Sequence, residues 1–296
     1  MGSPHQTAGR CSGDTGDGAA AMLRGVARVA GVGMDRIDLN ADIGESFGVY
    51  RIGDDEHLVP LLSSANVACG LHAGDPVVID RTISWVAAAG VALGAHPGLA
   101  DLAGFGRRAM AATAHEIEVS VAYQVAAVAG MGRRAGLAMQ HVKPHGALYT
   151  EACRSRAMAA AIAAGIASVG PDLILVAPWG SELARAGEEA GLPVAFEGFP
   201  ERGYSADGSL APRNLPGAIL SDPLEVAERA LAMVQGSSTT ALDGTKVSLR
   251  VDTLCIHGDN PAAVAIAKEV RSALGAAAVV IAPMGDVVRQ RPVRNG

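Results

Sequence analysis

Between residues 34 and 283 the chain repeats one alternation: a short apolar run, a polar or glycine-rich turn, and a longer stretch with the three-to-four spacing of an amphipathic helix. The apolar runs predict seven strands, at Ile37–Ala41, Asn66–Cys69, Val91–Ala95, Met139–Lys143, Leu173–Ala177, Val194–Glu197 and Thr253–His257. Helix starts are marked between them. Asp75-Pro76, Asp222-Pro223 and Asn260-Pro261 each set a capping side chain before a proline at the first helical position, and Thr113 with Glu116 has the form of a capping box. Gly90 and Gly275 read as helix stops. Such alternation requires a parallel sheet, either closed into a barrel or open and doubly wound.

The placing of the polar residues separates these two. Nearly every predicted strand ends in them: Asp38, Asn40 and Asp42; His72; His96; His141, Lys143 and His145; Glu197 then Arg202; His257 and Asp259. An open sheet gathers its ligands at one switch point, whereas a barrel draws a site from the carboxyl ends of many strands. The distribution predicts a seven-stranded (β/α) barrel. Any one of these residues could be a hydrogen-bonded structural group; their recurrence at the same end of successive units points to a site.

The stretch QHVKPHGALY, residues 140–149, is the densest of these. His141 and His145 have the spacing of a helical metal pair, but Pro144 between them breaks a helix and pushes Lys143 towards an extended conformation. On a strand His141, Lys143 and His145 share one face, with neighbours on that face roughly 6–7 Å apart. Lys143 and His145 are both expected to be dispensable for folding, the apolar strand supplying the packing.

Composition narrows the function classes. The chain has 296 residues, 49% of them hydrophobic, enough for a large core, and a net charge of −6 with 3% aromatics offers neither a basic stripe nor stacking platforms for nucleic acid. The longest bland apolar run, residues 157–170, is too short to span a bilayer. Cys11, Cys69, Cys153 and Cys255 show no paired spacing, which fits a reducing cytoplasm. Residues 1–33 are small and polar, and are expected to form a disordered extension before a single barrel domain over 34–284, with 285–296 as a tail. Alanine-rich helices could serve a homo-oligomer or simply pack on the barrel.

Nucleotide and nucleophile motifs fail. Gly244-Thr245-Lys246 lacks the spacing of a P-loop, Gly104-Phe105-Gly106 follows no strand and reads as an active-site loop, and there is neither a G-x-S-x-G elbow nor an H-E-x-x-H. Cys69 reads as a buried small hydrophobe.

The runs IDLNADIGESFG, SSANVACGLHAGDP, VALGAHPG, GFGRR, HVKPHGALY, ERGYSADGSLAPR and TLCIHGDNP, in this order, resemble the LamB/YcsF family of prokaryotic 5-oxoprolinase A subunits. The resemblance covers about residues 34–283. It implies a distorted barrel of the glycoside hydrolase/deacetylase type and ATP-dependent opening of 5-oxoproline to glutamate together with B and C subunits. Without a P-loop here, ATP is expected to be handled by a partner. Ring opening of a lactam needs a nucleophilic water, a stabilised oxyanion and a proton for the departing nitrogen.

For that chemistry Asp42 is the expected general base, Lys143 the oxyanion or phosphate partner and His145 the proton donor. Asn40, Glu45, His72, His96, Arg202, Tyr204, Asp207, Arg213, His257 and Asp259 are expected to bind substrate, with Arg202 or Arg213 holding its carboxylate as a bidentate pair. Two rival readings stand beside this one. A metal-dependent deacetylase would use Asp42, His72 and His96 around a divalent ion, and a scaffold protein would only organise its partners.

Overall fold

A computed structural model describes residues 1–2 and 36–291. All but the first two residues of the expected extension, and the end of the expected tail, lie outside the described residues. All seven expected strands form within two residues of their expected limits: β1 (Arg36–Ile43), β2 (Ser64–Ala68), β3 (Ala92–His96), β4 (Met139–Val142), β5 (Ile174–Ala177), β6 (Val194–Gly198) and β9 (Thr253–His257). They pair in parallel in that order, and β9 pairs back onto β1 from Asp38↔Thr253 to Asp42↔His257, closing a seven-stranded barrel. Three short strands were not anticipated. β7 (Ser238–Thr240) and β8 (Lys246–Ser248) form an antiparallel hairpin, and β10 (Val280–Ile281) pairs with the start of β1. At two or three residues each they fall below the length at which an apolar run is distinctive.

Around the barrel run α1 (Asp55–Leu58), α2 (Pro76–Ala89), α3 (Ala114–Arg134), α4 (Gly146–Ala152), α5 (Arg156–Val169), α6 (Glu182–Glu189), α7 (Pro223–Gly236) and α8 (Ala263–Ala276). Asp75 and Asp222 cap α2 and α7 by accepting from the second and third backbone amides, and the reciprocal Thr113–Glu116 box opens α3. Gly90 stops α2 in the left-handed region at φ 67°. Two end signals act differently. Asn260 bonds the Ala262 amide in a turn and reaches Glu201 with its side-chain amide, so α8 starts only at Ala263. Gly275 sits inside α8, where the fully buried Leu274 anchors the last turn, and the chain reverses at Ala278, φ 59°.

Strand parity divides the core. On β1 the odd residues Ile37, Leu39, Ala41 and Ile43 join Val67, Leu93, Val142, Leu175, Phe196 and Ile256 in the layer between barrel and helices. The even residues Asp38, Asn40 and Asp42 are equally buried but face inward. The barrel interior is therefore polar along much of β1, β2, β4 and β9, and Ile174, Val176, Ala195 and Met284 form a small apolar cluster apart from the main core. Met284, the last residue of the expected barrel domain, begins α9 (Met284–Arg289), which runs on into the segment expected as a tail. Its amide reaches Ser64 Oγ at 3.2 Å, and that of Gly285 reaches Gln140 Oε1 at 2.9 Å, so α9 packs on strand starts at the end of the barrel opposite the histidines.

Candidate active site

The carboxyl ends of the strands meet in a polar chamber. At its base Asp38 accepts from the hydroxyls of Ser63 (2.7 Å), Ser64 (2.6 Å) and Thr253 (2.5 Å). Burial pushes its carboxyl up to about 6, and the three hydroxyl donors limit the rise. One layer higher, Asn40 donates to Glu197 at 3.1 Å and Thr253 at 2.6 Å, while its oxygen accepts from Asn66. His141 Nε2 meets Asn66 Oδ1 at 2.8 Å, and Asn66 passes its second amide proton to Asp42 at 2.9 Å.

Above this layer Lys143 Nζ lies 2.9 Å from each of Asp42 Oδ1, Glu197 Oε1 and Cys255 Sγ. An ammonium has three donors, and here all three are engaged. Burial favours the neutral amine, but the carboxylates of Asp42 and Glu197 outweigh it and hold Lys143 well above the usual lysine range. Conversely, burial would raise Asp42, yet His96 and Lys143 hold it well below the carboxylate range. Tyr149, one turn into α4, donates to the other oxygen of Glu197 at 2.7 Å.

Beside this ion cluster stand Glu45, His72, His96 and His145, each about 5% exposed or less. Glu45 Oε1 is 3.6 Å from His72 Nε2 and 3.5 Å from His145 Nδ1, and His96 Nε2 is 2.9 Å from His145 Nδ1. His72 stacks on His145 with ring centroids 3.9 Å apart. Burial, then the neighbouring His96, pushes His72 well below the usual histidine range, and burial with His72 does the same to His145. Burial and the Asp42 charge raise Glu45 well above the carboxylate range. This group could hold a metal ion, and a second set, Asp42, Cys255 and His257, also places its donor atoms within 4.8 Å of one another.

Glycines make room for the rings. A Cβ on Gly98 would stand 2.5 Å from His72 Nδ1, and one on Gly106, already at φ 62°, would meet His72 Cβ at 2.8 Å and His145 Cδ2 at 2.9 Å. The Gly104–Arg108 loop thus roofs the chamber. Phe105 O accepts from His145 Nε2 at 2.8 Å, Arg108 is paired to Asp101, and Arg107 reaches across the rim to Asp259 at 2.5 Å.

The other expected residues divide by position. His257 is bonded to Glu201 through both its ring and its backbone amide, and stacks on Phe199. The Arg202 guanidinium is committed to the carbonyls of Ala218 (3.1 Å) and Ala211 (2.7 Å), pinning the long segment after β6, so those N–H groups hold backbone rather than facing a substrate carboxylate. Tyr204 is buried, its hydroxyl accepting from the Phe199 amide at 2.9 Å. Asp207 is exposed and caps its own turn through Ser209. Arg213, also exposed, lies within electrostatic range of Arg107 and Asp259.

In the sequence Glu197 stands out as a strand-end polar residue without a role, and Asn66, Tyr149, Cys255, Glu201 and Arg107 are not among the expected site residues. Two of the latter carry a legible signal: Asn66 and Cys255 have the inward parity of their strands. Nothing local in the sequence aims Tyr149 or Arg107 at the chamber.

Residues 37–289 match the LamB/YcsF family. The A subunit of 5-oxoprolinase from Methylococcus capsulatus is 52% identical over 249 residues, covering 84% of this chain and 96% of that protein. Its counterpart from Limosilactobacillus fermentum is 52% identical over 248 residues, covering 84% and 99%. The crystal structure of a lactam utilization protein from Thermus thermophilus superposes with a TM-score of 0.80 at 48% identity, covering 83% of this chain and 99% of that one.

Proposed function

The chain belongs to the LamB/YcsF family, and from that membership we propose that it is the lactam-opening component of an ATP-dependent 5-oxoprolinase. In this reading it converts 5-oxoproline to L-glutamate together with B and C subunits. The observation that carries the proposal is sequence identity near 50%, over almost the full length of proteins named as the A subunit of 5-oxoprolinase, several of them from distant organisms. The chamber gives that reading its chemistry.

Opening an unactivated lactam places negative charge on the carbonyl oxygen and requires a proton at the leaving nitrogen. Asp42 is held ionised by Lys143 and His96, so it can orient a water and take its proton. Lys143 supplies a fixed positive charge in a site that is almost free of solvent, where charge acts more strongly than in water. With its three protons engaged, it stabilises the oxyanion by field, or by exchanging the Cys255 contact for the substrate oxygen. His145 has one nitrogen bonded to Phe105 O and the other facing His96, so its ring favours an orienting part over proton donation.

The rim pair Arg107–Asp259, with Arg213 nearby, offers guanidinium groups to a substrate carboxylate in place of Arg202. In this reading the ATP-linked activation of the lactam falls to the partners and the hydrolytic step to the barrel, in keeping with a sequence that carries no G-x-x-x-x-G-K-[ST] motif. Among the described residues no helix is long and apolar enough to cross a membrane; the reading places the complex in the cytoplasm.

The test is reconstitution with B and C subunits, measuring glutamate formed from 5-oxoproline. Glutamate should appear only when this chain, both partners and ATP are all present. Equal production without this chain would overturn the reading.

A further inference from the structure

We propose that Glu45, His72, His96 and His145 form a binding site for one first-row divalent ion of the zinc class, and that Asp42 stands outside its ligand set. The inference rests on where the protons of two histidines must be, and it does not depend on the reaction assigned above.

His96 Nδ1 lies 2.6 Å from Lys143 O, and His145 Nε2 lies 2.8 Å from Phe105 O. A carbonyl oxygen only accepts, so both contacts fix the ring proton on the nitrogen pointing away from the chamber. When both rings are neutral, each presents a lone pair inward. Those lone pairs, on His96 Nε2 and His145 Nδ1, face each other at 2.9 Å. With nothing between them the contact is repulsive.

The same point is faced by polar atoms with no partner. Glu45 Oε1 and both ring nitrogens of His72 are buried without a hydrogen bond, and a buried unpaired acceptor costs about 1–3 kcal/mol. Four inward donor atoms, from Glu45, His72, His96 and His145, thus lie within 4.8 Å of one another. Ligands about 2.0–2.1 Å from a tetrahedral zinc ion stand about 3.3–3.4 Å apart. The observed edges of 3.6, 3.5 and 2.9 Å bracket that value.

The outward bonds from His96 and His145 to carbonyls are the supports that metal-bound imidazoles use to fix their tautomer. Three imidazoles with one carboxylate suit zinc, cobalt or nickel rather than magnesium or calcium.

The rival deacetylase reading offered Asp42 as a metal ligand with His72 and His96, but Asp42 lies outside the group whose donor atoms all fall within 4.8 Å of one another. Oδ1 is engaged by Lys143 and Asn66, and Oδ2 lies 3.4 Å from His96 Nε2. It sits beside the ligand set and helps keep the positive charge in place.

The alternative to a metal is a proton shared between His96 and His145. To separate the two, the intact chain is stripped with a chelator, dialysed with Zn2+, and its metal content and melting temperature are measured without partner subunits or nucleotide. One ion retained per chain and a higher melting temperature are expected, with no effect from Mg2+ at the same concentration. Loading with Co2+ should give the strong visible absorption of a four-coordinate ion. Glu45→Gln and His72→Ala should each weaken Zn2+ binding at least tenfold, whereas Asp42→Asn should keep one ion per chain. Folded wild-type chain that retains no Zn2+ would overturn the inference in favour of the shared proton. So would loss of the ion in Asp42→Asn with retention in Glu45→Gln. The wild-type stoichiometry and the cobalt spectrum decide even if a variant fails to fold, and neither depends on glutamate production.

Discussion

Replacing Lys143 by methionine removes a buried ammonium from between Asp42 and Glu197 while keeping much of the side-chain length. The sequence alone made this change harmless to folding, because an apolar strand would supply the packing. The structure argues otherwise. Lys143 is 3% exposed and contacts both carboxylates at 2.9 Å, and these are themselves almost fully buried. Removing one member of a buried ion cluster leaves the others uncompensated, at a cost of about 3–5 kcal/mol. For a domain of this size each kcal/mol lowers the melting temperature by about 2–4 °C, so Lys143→Met should melt roughly 6–20 °C below the parent. Circular dichroism melts of the parent, Lys143→Met, Glu197→Gln and the double variant form a cycle that isolates the coupling. The double variant should be more stable than the sum of the single losses predicts, because neutralising Glu197 relieves part of the repulsion left behind. A Lys143→Met melting temperature within about 2 °C of the parent, less than the loss of a single kcal/mol would give, or strictly additive losses, would refute the argument.

Further outcomes follow from the same structure. Asp38 has a folded pKa of about 6 against an ordinary 3.8, so its contribution to stability is present below the ordinary value and fades as the pH rises through the folded one. The stability of the parent relative to Asp38→Asn should therefore fall by up to about 3 kcal/mol between about pH 4 and 7, and a pH-independent difference in denaturant titrations would contradict this. Gly98→Ala puts a methyl group 2.5 Å from His72 Nδ1 and should weaken Zn2+ binding by tenfold or more in calorimetry; unchanged affinity would show that the ring shifts freely. Arg202→Ala should expose residues 203–220 to limited proteolysis while leaving KM for 5-oxoproline within about twofold, because the guanidinium holds Ala211 and Ala218 carbonyls. A large rise in KM with an unchanged digestion pattern would restore a substrate role. Calorimetry should find no micromolar ATP site on the isolated chain, and such a site would remove the reason for assigning nucleotide chemistry to the partners.

The barrel was legible because its strands carry two signals at once: an apolar run, and a polar residue where the run ends. The polar residues Asp38, Asn40 and Asp42 stood out at the end of β1, and the proline in HVKPHGALY correctly denied a helix across His141 and His145. What the sequence could not convey is which partner each inward group finds. Lys143 looks like a free cation in one dimension, yet its partners Glu197 and Cys255 arrive from strands more than fifty residues downstream. Arg202 looks like a substrate clamp until the segment after β6 folds back and occupies its guanidinium with carbonyls. Glu45 was visible as a polar neighbour of Asp42, but its approach to three histidines depends on the Gly104–Arg108 roof and the glycines that let the rings close in.

The central claim is that this barrel performs the ring-opening step and does not merely hold its partners together. The most direct measurement compares parent and Asp42→Asn chains, each shown to assemble with B and C subunits, for glutamate formed from 5-oxoproline and ATP. The account predicts that the variant complex assembles, still consumes ATP at its partners, and loses glutamate production by a hundredfold or more, as expected when a charged group in a buried site is removed. An assembled Asp42→Asn complex that turns over like the parent would contradict it and leave the chain as a scaffold.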